Sequence, residues 1–207
     1  CSQSRGLGDV YKRQALAIPA AYGLVRLPQR WLRVSRALIA GAALFPYVLL
    51  FLALLELARS LNLGNSLLAL AIPYSALSLP LALLLLTTAF EGLPKDLDDA
   101  AKLEGMSLVQ RLRWVLIPLI TPATASTAIL VFLFAWNEYP IALTWLSRSE
   151  QLTLPVAMAR IAGSSVYSVP YGAYAAATVL GALPLLLLVL LFQRQIVSGL
   201  TNGAVKG

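Results

Sequence analysis

The chain has 207 residues, of which 59% are hydrophobic and only 12% charged, against roughly a quarter charged in an ordinary soluble domain. With no histidine and one cysteine, it offers no metal or redox constellation built from those ligands, and no cofactor is expected. The net charge is +7, but the cations lie mostly between apolar runs without interleaved aromatics. Membrane orientation accounts for them, and nucleic acid is not expected as a partner.

In chain order, residues 1–14 (CSQSRGLGDVYKRQ) lack an initiator methionine, a signal-peptide pattern and any periodicity. They read as a non-native, adapter-derived stretch, the alternative being a basic arm, and are set aside. Residues 15–25 are apolar but fall short of the about 20 needed to cross a bilayer, so an N-terminally truncated span is expected there. Arg26, Arg30, Arg33 and Arg36 form a basic connector. A span over 37–58 follows, kinked at Pro46 and carrying Glu56, and a polar turn leads to a span over 66–90 with Pro73 and Pro80. After a charged loop at 91–118 comes a span over 119–136, rich in small and hydroxyl residues. A mixed connector (137–171) with Pro140, Pro155 and Pro170 then precedes a last span over 172–192, kinked at Pro184. The fold class is all-α, a polytopic transmembrane helical bundle. Lysine and arginine concentrate in 26–36, in the 91–118 loop (Lys95, Lys102, Arg111, Arg113) and in the tail, while the other connectors hold Arg59, Arg148 and Arg160. The richer side is expected to be cytoplasmic.

Within the loop, two short helices are expected. Pro94 suits a helix start, and Asp96, Asp98 and Asp99 complement the positive end of the helix that follows. Leu97, Ala100 and Ala101 give it a small flat face. Gly105 is expected to stop it in the left-handed conformation. Ser107 and Gln110 make an S-x-x-Q capping box for the second helix, whose apolar stripe is Leu108, Leu112 and Val115 with Arg111 and Arg113 pointing elsewhere. Pro118 and Pro122 are expected to break or kink the chain. A pair of amphipathic helices lying on lipid is the plainer alternative, and the acidic first helix opposes it.

Asp99-Ala100-Ala101, Gly105 and Val115-x-Ile117-Pro118 resemble the E-A-A-x-x-x-G … I-x-L-P loop of ABC importer permeases, with Asp for Glu, Val for Ile and Ile for Leu. PAAYGLVR (19–26) resembles the end of an early helix of that family. WNEYPIAL (136–143) and the tail from Gln193 look like its maltose-type carbohydrate members. The resemblance covers residues 15–207. It implies a type I permease core of the cell membrane that carries a sugar or oligosaccharide and has no catalytic residues of its own. The implied partners are an ABC ATPase dimer, a second permease subunit, an extracytoplasmic solute-binding protein and the lipid bilayer. Asp98, Asp99, Ala100, Ala101, Glu104, Gly105, Met106 and Pro118 are the expected coupling residues, with Asp98, Asp99 and Glu104 facing basic groups of the ATPase. Leu97, Ala100, Ala101 and Met106 would supply the buried contact.

A phosphate-cradling G-x-x-x-x-G-K-[ST] loop is absent from the sequence, so ATP hydrolysis is expected on another polypeptide. Proton-coupled carriers use acidic pairs within spans, and the nearest residues here are Glu56, read as interfacial, and Glu138, read as a cap or anchor. Tyr74, Ser78, Thr124, Trp136 and Asn137 are the types that stack on or hydrogen-bond a sugar. Aromatic anchoring and small-residue helix packing around Thr121, Thr124, Ser126 and Thr127 are the simpler readings of the same residues. A permease for an amino acid or polyamine, or a secondary carrier, stands as the alternative function.

Overall fold

The computed structural model describes residues 16–146, 148–162 and 170–204; the set-aside stretch 1–14 and the last three residues of the tail lie outside them. All regular structure among the described residues is helical: α1 (Leu16–Val25), α2 (Gln29–Leu44), α3 (Phe51–Ser60), α4 (Leu67–Glu91) and α5 (Lys95–Leu103), then α6, one helical course over Leu108–Asn137, and α7 (Pro140–Trp145), α8 (Leu154–Ala162) and α9 (Tyr171–Ala204). α4, α6 and α9 are each long and apolar enough to cross a membrane, with mean hydropathies of 2.0, 2.0 and 2.6.

The stretch expected as one span at 37–58 is a broken pair. α2 begins at Gln29, inside the basic connector, where the Trp31 and Leu32 amides bond to the Pro28 carbonyl at 2.8 and 3.0 Å. After Leu44 the helix breaks, and a 3-10 turn at Tyr47–Leu50 leads into α3. The cause is Pro46, which lacks an N–H and biases Phe45 away from helical angles. In contrast, Pro118, Pro122 and Pro184 do not end their helices. Pro118, expected to break or kink the chain, does not break it; a widened, π-helical turn precedes it over Arg111–Leu116, in which the Ile117 amide reaches back to the Leu112 carbonyl. A proline removes one intrahelical donor and crowds the preceding turn, and a wider turn absorbs both effects.

The chain divides into two compact units. One holds the chain up to Leu44, Ser78–Val131 and the chain from Phe192. Its core packs Ala17, Ala21 and Tyr22 of α1 against Ala82, Leu86 and Phe90 of α4 and Leu116 and Ile120 of α6. Tyr22 meets Phe90 edge to face at 5.7 Å, a favoured aromatic geometry.

The other unit holds Phe45–Leu77 and Phe132–Leu191, with Ala58, Leu70, Tyr74, Ile141, Trp145 and Val156 in its core. Here the described part of the mixed connector contains short helices. Pro140 and Pro155 each sit in the first turn of a short helix, α7 and α8, where a missing N–H removes no intrahelical bond. The Trp145 indole donates to the Leu63 carbonyl at 3.0 Å, and the Asn65 amide to the Trp145 carbonyl at 2.9 Å, pinning the polar turn after α3 to α7.

Candidate coupling loop

α5 starts after Pro94, which stands at the cap position just before the helix, with Asp96 and Asp98 in the first turn. It ends in a complete Schellman arrangement. The Met106 amide bonds to the Ala101 carbonyl at 3.1 Å and the Gly105 amide to the Lys102 carbonyl at 3.0 Å. Between them Gly105 takes φ +79°, a conformation open to glycine and costly for most side chains. Ser107 then opens α6 with a reciprocal capping box, its amide donating to Gln110 Oε1 at 2.8 Å while its hydroxyl accepts from the Gln110 amide at 3.4 Å. The turn between the helices is therefore bonded through on both sides of Gly105.

Asp98 departs from the expected picture. Its side chain is 2% exposed, so it faces into the protein rather than towards a partner. Tyr22 Oη donates to its Oδ2 at 2.9 Å, and Arg26 pairs with the same oxygen. Arg111 donates to Oδ1 at 2.8 Å, and Lys102, one turn further along α5, lies 3.3 Å from Oδ2. The Arg26 guanidinium also stacks over the Tyr22 ring at 5.0 Å. Arg111, expected to point away, is thus an internal partner, 12% exposed. The signal in the sequence was PAAYGLVR: Tyr22 in the last turn of α1 and Arg26 just past its end are four residues apart.

Ala101 is likewise buried, whereas Asp99, Ala100, Glu104 and Gly105 are exposed and Met106 is half-buried. Lys102 donates to Asp99 at 2.7 Å, and this hydrogen bond, with the ammonium charge, holds the Asp99 carboxyl below the usual carboxylate range. Apolar exposure at the tip sits on Leu103, 91% exposed, and Val109, both of which the sequence reading passed over, and on Leu108 of the expected stripe. Pro118 lies exposed on α6, clear of the tip.

The residues named for a substrate path are divided between the units, with Ser78 and Thr124 in one and Tyr74, Trp136 and Asn137 in the other. Tyr74 and Ser78 are buried, and Tyr74 is committed to Glu138 at 2.5 Å. The hydroxyls of Thr121, Thr124, Ser126 and Thr127 donate to carbonyls one turn back, at 3.0, 2.9, 3.0 and 2.8 Å, as threonine and serine within apolar helices commonly do. Trp136 and Asn137 do line a cavity of about 480 Å³, together with Tyr139, Met158, Tyr174 and Thr178.

Long apolar helices joined by a braced, charged two-helix loop define a multi-pass helical membrane permease. Residues 15–202 match the sequence model of the binding-protein-dependent transport system inner membrane component family, and the chain belongs to that family, whose members reside in the inner membrane. It is 40% identical to the trehalose transport system permease protein SugB of Mycobacterium tuberculosis, over 93% of this chain and 70% of the relative. It is 39% identical to the trehalose/maltose transport system permease protein MalG of Thermococcus litoralis, over 91% and 67%. Identity to the sulfoquinovosyl glycerol transport system permease protein SmoH of Agrobacterium fabrum is 38%, over 93% and 67%.

Proposed function

We propose that this chain is the membrane-spanning subunit of a binding-protein-dependent ABC importer for a sugar or oligosaccharide, coupled through residues 93–118 to an ATPase on a separate polypeptide. The family as a whole works with a solute-binding protein and an ATPase. A second permease subunit and an ATPase pair complete the proposed assembly. The substrate class follows the relatives, whose names specify trehalose, maltose and sulfoquinovosyl glycerol rather than an amino acid or polyamine.

The observation that carries the docking role is the tip. The turn bonded through at Gly105 follows Leu103, which is 91% exposed, and Leu108 and Val109 after the turn are exposed as well. Such a rigid apolar knob flanked by Asp99 and Glu104 suits a partner's cleft, because buried apolar anchors with charged rims concentrate binding energy. Asp99, Ala100, Glu104, Gly105 and Met106 are proposed to meet the ATPase, while Asp98 and Ala101 hold the loop from within. On the sugar path, Trp136 and Asn137 remain proposed contacts; Tyr74 and Ser78, being buried, do not.

The test is recovery of the ATPase with the detergent-extracted complex. Leu103→Asp and Asp99→Lys are each expected to lower it at least about tenfold, the first by desolvating a charge in the cleft and the second by like-charge repulsion. Arg59→Glu, on exposed α3, is expected to leave it unchanged. Equal recovery in all three would exclude this loop as the docking site.

A further inference from the structure

We infer that Asp98 is a positioning residue for transport: it locks α5 to α1 and α6 as one body, so that displacement of the loop's tip reaches the membrane helices instead of being absorbed in the loop. This rests on the docking role proposed for 93–118.

The inference starts from how little else holds α5. Its buried residues are Asp98 and Ala101, so the carboxylate is its principal polar tie. Asp98 is bonded to Tyr22 in the last turn of α1, to Arg26 just after it, and to Arg111 in the π-helical turn of α6. The partners lie 76, 72 and 13 residues away in sequence, so the tie is tertiary and no local cap could replace it.

Exposure ranks the three cations. Arg26 is 36% and Lys102 44% exposed, and water screens such pairs heavily. Arg111 is 12% exposed, and its Nε is buried without a partner. A guanidinium so placed depends on Asp98 for compensation. Removing the charge on Asp98 therefore frees α5 from α6 first.

A purely structural contact and a positioning contact give different results in assembled complexes. The complex is reconstituted in proteoliposomes with its ATPase and solute-binding protein, and uptake is measured per ATP hydrolysed. Asp98→Asn is expected to retain the ATPase through the untouched tip while uptake per ATP falls at least about tenfold; Asp98→Glu, which keeps the charge, recovers most of it. Arg111→Gln repeats the loss, and in the double variant with Asp98→Asn the losses are not additive. Wild-type uptake per ATP in Asp98→Asn overturns the inference, as does loss of the ATPase from that variant, since the residue would then only maintain the fold. Neither result touches the docking reading, which falls if Leu103→Asp and Asp99→Lys both keep their ATPase as Arg59→Glu does.

Discussion

Two buried carboxylates, one in each unit, solve the same problem with different partners. Asp98 is surrounded by Arg26, Arg111 and Lys102 as well as Tyr22. Glu138, also 2% exposed, is held by neutral donors alone among those seen: the Ile141 and Ala142 amides at 2.8 and 3.0 Å and the Tyr74 hydroxyl at 2.5 Å. Glu138 thereby caps the first turn of α7 and ties it to α4, the capping role its sequence position invites. A carboxylate among cations leaves stranded charge when it is lost; one among amides leaves only unpaired dipoles. The loop is thus fixed by the costlier device to break.

The largest effect should come from Asp98→Ala, which strands Arg111 and is expected to lower stability by about 3 kcal/mol, read as a shift in the unfolding midpoint in mixed micelles. A loss no greater than that of Tyr74→Phe would erase the distinction between the two sites. Gly105→Val leaves both carboxylates intact but forces a β-branched residue to φ +79°, at about 2 kcal/mol. It should uncouple ATP hydrolysis from uptake without impairing membrane insertion, and wild-type uptake in vesicles would show the turn to be dispensable. Tyr74→Phe withdraws one donor from Glu138 and should cost about 1.5 kcal/mol, while ATPase recovery stays normal. Lys102→Ala, at a solvated position, should cost less than about 1 kcal/mol. The smallest effect concerns pH. Because the Asp99 carboxyl is held low by Lys102, its contribution is present above the usual carboxylate range and lost as pH falls through its lowered value. Lys102→Ala should flatten that acid-side slope in the same unfolding assay.

What the sequence made legible was local. The Gly105 stop, the Ser107–Gln110 box and the break at Pro46 depend on residues within a few positions of one another, where backbone chemistry is decided. The orientation of Asp98 was not local. On nine residues of α5, Leu97, Ala100 and Ala101 offered as good an inner face as Asp98 and Ala101, and the choice was made by Tyr22 and Arg26 at the end of α1. The hydroxyls of α6 allowed more than one reading, and Thr121, Thr124, Ser126 and Thr127 each donate to a carbonyl of their own helix. The 137–171 connector hid α7 and α8 because short helices carry little periodicity and owe their order to packing, here around Trp145 and Val156.

The π-helical turn over Arg111–Leu116 also sets a phase. A straight α-helix advances about 100° per residue, and the widened turn lets one extra residue pass before the following face is presented. Arg111 can therefore point at Asp98 while Leu116 and Ile120 still enter the core with Leu86 and Phe90. Deleting one residue from this turn would restore the regular winding and turn one of those two faces away, so α6 could keep its grip on the loop or its seat in the core, but not both.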